Sequence, residues 1–190
     1  MRVLVCEDET IIRLDLCQLL ESAGLQVAGE ARDGLEAVRL AQELQPDMVL
    51  MDVRMPELDG VEAARQILAE RQVPIVMVTA FAERDIVQSA TDAGAFGYLV
   101  KPFRQDDVLA AITTAQARSA ELADARAEAK SLTEALETRR IVERAKGVLM
   151  TRENISEGDA YARMRSASQR TGQPMRSIAE ALLATLSGEQ

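Results

Sequence analysis

Histidine is absent from this 190-residue chain. That removes imidazole metal sites, Ser-His-Asp chemistry and any phosphohistidine relay within the chain. Cysteine is scarce: Cys6 and Cys17 offer neither a CxxC spacing nor a second pair to close a zinc site, and they read as reduced, mostly buried thiols. No apolar run reaches the roughly 18 residues of a membrane span, and the opening MRVLVCEDE turns acidic too early for a secretory signal. A soluble, cytoplasmic protein without membrane contact is expected.

Charge is unevenly spread. Residues 1–120 carry 11 basic against 20 acidic residues, and residues 121–190 carry 11 against 11. Within 139–176, nine basic residues face four acidic ones. A basic segment inside an acidic protein points to a polyanion-binding region, with a solvated basic helix face as the alternative.

The first half alternates short apolar runs with helical patterns. Val3–Cys6, Leu25–Ala28, Met48–Met51, Ile75–Val78 and Phe96–Val100 read as strands. Five strands alternating with helices imply right-handed crossovers and a parallel sheet covered on both faces. MVLM and IVMV are apolar on both faces, as central strands should be.

From Arg104 through Lys146 the chain has no glycine or proline, which predicts one long helix that Gly147 then interrupts. Val108, Ala115, Leu122, Ala129 and Leu136 recur every seven residues, with Ala111, Ala125 and Leu132 at the matching second position, while Arg118 and Arg139 break the seam. The pattern reads as a weak, alanine-rich coiled coil able to form a homodimer, or as a solvated linker helix. Three short helices should follow: Thr138 to Arg152, Ser156 to about Gly172, and one after Pro174. Ser156 and Asp159 form a capping pattern, and Met175, Ile178, Ala179, Leu182, Leu183 and Leu186 give the last helix an apolar stripe.

Three carboxylates fall at strand ends: Glu7 and Asp8 after the first strand, Asp52 after the third. In a doubly wound sheet ordered 2-1-3-4-5 those strands are neighbours at the topological switch point, where ligands bind. Mutual repulsion would be relieved by an oxygen-seeking divalent cation, and Mg2+ suits such a site. Thr79 and Lys101 end the fourth and fifth strands and bring a hydroxyl and an ammonium to the same crevice. A carboxylate attacking a phosphoryl group needs its equatorial oxygens countered on several sides, and these groups can do that.

The ED pair at Glu7 and Asp8, MDVRMPELDG around Asp52, VTA at Thr79 and YLVKPF at Lys101 resemble the receiver domains of bacterial two-component response regulators, over residues 2–118. The resemblance implies a flavodoxin-like (βα)5 α/β fold with a five-stranded parallel sheet. It implies that a sensor histidine kinase phosphorylates Asp52, and that Glu7, Asp8, Asp52 and the backbone carbonyl of Arg54 hold Mg2+. Lys101 and Thr79 would contact the phosphoryl group. Tyr98 would rotate inward as a switch that alters the face of a fourth helix and the fifth strand; a plain strand aromatic is the alternative. Lys101-Pro102 would be cis. Glu7 stands where the family more often has Asp, which keeps the charge and lengthens the reach.

The segment from Thr138 to Leu183 resembles the ANTAR module of transcription antitermination regulators. AKGVLM at Ala145 to Met150, the Ser156 cap, Ala160 and Tyr161, Ala167 and the IAEALL ending carry the resemblance, which implies binding of paired RNA stem-loops in a leader transcript. Tyr161 is the last aromatic in the chain, so arginines must do more of the binding than stacked rings. Arg163 and Arg170 share a helix face; Arg144, Lys146 and Arg152 lie on the preceding helix. Tyr161 and Met164 read as core.

The expected organisation is a receiver over 1–118, a helical linker over 119–137 and an ANTAR domain over 125–186 that overlaps the linker helix. A coiled-coil protein-interaction or DNA-binding output is the competing reading, although no basic residue follows Arg176 in the last helix, which makes it a poor groove reader. An aspartyl-nucleophile phosphatase would favour a second Asp two residues on, where Arg54 stands. The chain is therefore expected to be a phosphoacceptor with at most slow self-dephosphorylation, and not an enzyme.

Overall fold

The computed structural model describes residues 1–80 and 94–187, with side chains through residue 185. The chain divides into two compact units, Met1–Ala123 and Asp124–Gln190. In order, the elements are β1 Arg2–Cys6, α1 Thr10–Ser22, β2 Gln26–Ala31, α2 Gly34–Leu44, β3 Met48–Asp52, α3 Gly60–Glu70, β4 Ile75–Ala80, β5 Gly97–Lys101, α4 Gln105–Glu153, α5 Glu157–Thr171 and α6 Met175–Ser187. The helix expected between the fourth and fifth strands falls outside the described residues, as does the side chain of Leu186.

In the first unit all four strand pairings are parallel, in the order β2-β1-β3-β4-β5. Period-two alternation sends Leu4, Cys6, Val49 and Met51 to one face, where Ala37 and Ala41 of α2 and Ala63 and Ile67 of α3 cover them. Val3, Val5, Met48 and Leu50 go to the other, against Leu16 and Leu20 of α1 and Val108, Ile112 and Ala115 of α4. Every residue of β3 is buried, which is why MVLM shows no alternation in the sequence. The second strand begins near its expected start but runs on to Ala31, because polar Glu30 still pairs with Val5 of β1.

Local chemistry fixes the helix ends. Asp33 and Asp59 accept hydrogen bonds from the amides of Glu36 (2.7 Å) and Glu62 (2.9 Å), capping α2 and α3 with a contribution of about 1 kcal/mol each. Ser156 accepts from the Asp159 amide at 3.2 Å and opens α5, which Gly172 closes in the left-handed conformation.

In the second unit, Val142, Ala145 and Leu149 of α4 pack with Ala160 and Met164 of α5 and Ile178 and Ala179 of α6. Two expectations are corrected here. Gly147 does not interrupt the long helix: α4 runs unbroken to Glu153, so the helix expected to start at Thr138 is its continuation. Buried residues on both sides of Gly147 anchor the helix and override the glycine's weak propensity. Met164 is core, but Tyr161 is 46% exposed. No helix among the described residues is long and apolar enough to cross a membrane.

Candidate functional site: an acidic pocket and a basic bundle

Because β1 and β3 pair in parallel with Cys6 opposite Met51, the residues that follow each partner emerge side by side at the carboxyl edge of the sheet. Carboxylate oxygens of Glu7, Asp8 and Asp52 all lie within 4.8 Å of one another. Glu7 is fully buried, Asp52 nearly so and Asp8 exposed. Lys101, the last residue of β5, reaches in: its Nζ donates to Glu7 Oε1 at 3.0 Å and stands 2.8 Å from Glu7 Oε2 and 3.2 Å from Asp52 Oδ2. Thr79 in β4 is buried at the same edge, its hydroxyl donating to the Ala80 carbonyl at 3.3 Å.

Burial pushes the Asp52 carboxyl above its ordinary range; the Lys101 ammonium opposes this and the Asp8 charge adds to it. Burial raises Glu7 too, against the hydrogen bond from Lys101 and with the Asp52 charge. For Lys101, burial favours the neutral form, but the hydrogen bond to Glu7 and the Asp52 charge outweigh it and the ammonium is held above its usual range.

This donor set fits a hard divalent cation. It is all oxygen, and one ammonium stands among three carboxyl groups, so negative charge there exceeds positive whenever the carboxylates are ionised. Glu7 Oε2 is shut off from solvent, with the Lys101 ammonium at 2.8 Å as its charge partner, so one cation is shared among the carboxylates of the pocket.

Backbone geometry sharpens the site. Gly60 donates from its amide to the Val53 carbonyl at 2.9 Å, and a Cβ there would lie 1.8 Å from the Asp52 carbonyl oxygen. Only glycine lets α3 start so close to Asp52, which is the physical content of the DG ending of MDVRMPELDG. Arg54 sits two residues past Asp52 on the connecting loop. The Lys101-Pro102 bond is cis. Tyr98 lies on β5, 58% exposed.

Arg13 was not singled out from the sequence. Its side chain is 5% exposed, and its guanidinium donates to the Glu7 carbonyl at 2.7 Å, to the Asp8 carbonyl at 3.4 Å and to Glu30 Oε2 at 3.0 Å. The signal was there: Arg13 stands three and seven residues before Leu16 and Leu20, on the buried stripe of α1.

In the second unit the five basic residues expected to bind RNA differ in how committed they are. Lys146 is buried, its Nζ 2.7 Å from Glu157 and 2.9 Å from Glu143, and the hydrogen bond to Glu157 followed by that to Glu143 holds it above the ordinary lysine range. Its ammonium ties α4 to α5. Arg163 is paired with Glu153. Arg144, Arg152 and Arg170 are exposed, Arg152 with an interaction of its own. The α4–α6 groove adds Arg140 and Arg176, which the sequence reading passed over.

Comparison with known proteins places both halves. Residues 3–113 match the response regulator receiver domain, and residues 130–183 match the ANTAR domain. The transcriptional regulatory protein PdtaR of Mycobacterium tuberculosis is 47% identical over 185 residues, covering 97% of this chain and 90% of that protein. Among solved structures, the signal receiver domain of a modulated diguanylate cyclase from Desulfovibrio desulfuricans G20 is 36% identical with a TM-score of 0.58, covering 62% of this chain and 94% of that one. The CheX-CheY-BeF3-Mg2+ complex from Borrelia burgdorferi is similar at 26% identity and a TM-score of 0.58, covering 60% of this chain and 87% of that one.

Proposed function

The chain belongs to the response regulators that join a receiver domain to an ANTAR domain, and from that premise we propose that phosphorylation of Asp52 controls RNA binding by the C-terminal bundle in transcription antitermination. The observation that carries the reading is the buried cluster of Glu7, Asp8, Asp52 and Lys101 at one edge of the sheet.

Asp52 is the nucleophile. One of its carboxylate oxygens forms a bond to phosphorus as the bond from phosphorus to the donor nitrogen of a sensor histidine kinase breaks, leaving an acyl phosphate. Lys101, already 3.2 Å from Asp52, supplies a fixed positive charge to the incoming oxygens, and Thr79 supplies a hydroxyl at the same edge. Glu7, Asp8, Asp52 and the Arg54 carbonyl would hold Mg2+, which when bound offsets the negative charge that gathers in the pocket. The similar CheX-CheY complex, which contains BeF3 and Mg2+, supports Mg2+ as the cation. Tyr98 is the switch aromatic, poised outward on β5.

The receiver extends over 1–118 and the ANTAR domain over 125–186, with 119–137 as the shared helical linker. Arg144, Arg152 and Arg170 offer exposed positive charge to structured RNA, while Lys146 and Arg163 act through the carboxylates they hold. A homodimer through Leu122, Leu132 and Leu136, all exposed on α4, would present two bundles to paired stem-loops. The protein works in the cytoplasm, where kinase and nascent transcript meet.

The test is phosphorylation by a small phosphodonor with Mg2+ present. Intact mass should rise by one phosphoryl group and chelation should prevent it; undiminished labelling of Asp52→Asn would overturn the assignment. RNA recovered by crosslinking from cells, with and without Asp52, should be enriched in stem-loops; recovery of DNA instead would favour the competing output.

A further inference from the structure

At the edge of the sheet opposite Asp52, α2 and α3 end with Gln45 and Arg71 as their carboxyl-terminal caps. A cavity of about 200 Å³ lies there. Its floor is Ala41, Ile67 and Val73, all buried, and its rim is Gln42, Gln45, Glu70 and Arg71. The Arg71 Nη1 is shut off from solvent without a hydrogen-bond partner, and its guanidinium makes no ion pair among the described residues. The neighbouring carboxylate is already taken on one side: Glu70 Oε2 accepts from Gln42 Nε2 at 2.6 Å. An enclosed guanidinium N–H is costly unless an acceptor meets it.

Gln45 is a second, independent sign. It holds the left-handed conformation at φ 48°, where glycine is the usual cap, and it directly precedes Pro46, which favours an extended neighbour. Glycine there would relax the backbone but remove the side-chain amide, whose Nε2 donates to the Gln42 carbonyl at 2.9 Å and ties Gln45 to the rim.

We propose that this cavity binds a small aliphatic α-amino acid, with its carboxylate on Arg71, its ammonium beside Glu70 and the carboxyl end of α3, and its side chain on Ala41, Ile67 and Val73. A cation and an anion on one rim match a zwitterion, whereas a dianion such as inorganic phosphate would meet Glu70 and the negative end of the helix dipole. The volume lies below the roughly 300 Å³ at which pockets for drug-sized ligands begin, which limits the side chain to a few carbons. The site is remote from the acidic pocket but shares strands with it: β3 starts three residues after Gln45 and β4 two after Val73, and they carry Asp52 and Thr79 toward their far ends.

The experiment titrates the full-length, isotope-labelled protein with L-valine and L-leucine and follows the backbone amide shifts. Saturable shifts should centre on Gln42, Gln45, Glu70 and Arg71. Isobutylamine and isovalerate, each lacking one charge of valine, should bind at least tenfold more weakly. Arg71→Met, which keeps the reach and loses the charge, should weaken L-valine binding at least tenfold. Gln45→Gly should weaken it as well without lowering the thermal midpoint, because glycine suits the left-handed backbone. Both variants should still accept a phosphoryl group on Asp52, which reports that each is folded. Shifts that survive Arg71→Met, binding unchanged in Gln45→Gly, equal affinity for isovalerate, or no saturable shift with either amino acid at millimolar concentration would overturn the proposal.

Discussion

Arg13 and Glu7 are joined through the backbone: the guanidinium Nη1 donates 2.7 Å to the carbonyl of Glu7, whose carboxylate lies in the acidic pocket. A second donor of the same guanidinium is held by Glu30 on β2. The turn that carries Glu7 and Asp8 is therefore clamped from behind by a cation that never enters the pocket.

Loosening that clamp should weaken metal binding without removing a ligand. Glu30→Ala and Arg13→Lys should each lower Mg2+ affinity by about tenfold, the lower end of what outer-shell changes cost. Calorimetric titration of folded protein reads this directly. Unchanged affinity in both variants would reduce Arg13 to a space-filling role.

The pocket should also write a pH dependence into stability. Glu7 and Asp52 have carboxyls raised by burial, so between about pH 4 and their raised values the folded state holds more protons than the unfolded chain. Their contribution to stability accordingly falls as pH rises through that window. Lys101, raised as well, keeps its contribution below the ordinary lysine range and loses it only in alkali. In EDTA, the urea midpoint should drop as pH rises above about 4, Glu7→Gln should flatten the drop, and Mg2+ should raise the midpoint more at the upper end of that window than at its lower end. Identical profiles for the parent and Glu7→Gln would contradict this.

Gly147 offers a simple gain. It lies inside α4, and a Cβ there would meet nothing within 4 Å. Gly147→Ala should stabilise the second unit by roughly 0.5–1 kcal/mol through helix propensity. Thermal unfolding would show it, and a destabilised variant would mean that the position has a neighbour outside the chain.

Self-association tests the exposed seam. Leu132 and Leu136 are 58% and 66% exposed on α4. If they mediate a dimer, Leu132→Glu with Leu136→Glu should return the protein to a monomer in sedimentation while Asp52 still accepts a phosphoryl group. A parent protein that is monomeric at high concentration in both phosphorylation states would leave α4 as a plain linker.

The pocket was legible because each of its residues is a polar exception at the end of an apolar run, and a parallel sheet carries such exceptions to one edge. Glu7, Asp52, Thr79 and Lys101 needed only the strand order to be brought together. Arg13 was hidden because a charged residue on an amphipathic stripe looks like a boundary of the stripe, and its partners are backbone carbonyls that no sequence pattern marks. Gly147 misled for a related reason: local propensity argued for a break, and the decisive contacts of Val142, Ala145 and Leu149 are with helices that come later in the chain. Lys146 looked like a free cation until Glu157, eleven residues on, was folded against it.

Helix α4 is anchored by core residues at Val108, Ile112 and Ala115 and again at Val142, Ala145 and Leu149, but every residue from 121 to 137 is exposed. Those 17 residues hold their shape on intrinsic propensity and cooperativity with the anchored turns, at about the length where an isolated helix in water is marginal. Their amide hydrogens should exchange through local opening, while those of the anchored turns wait for a whole core to unfold. Anything that settles on Leu132 and Leu136 would slow exchange first in that stretch, so the middle of the helix is where an occupied partner surface would register as protection.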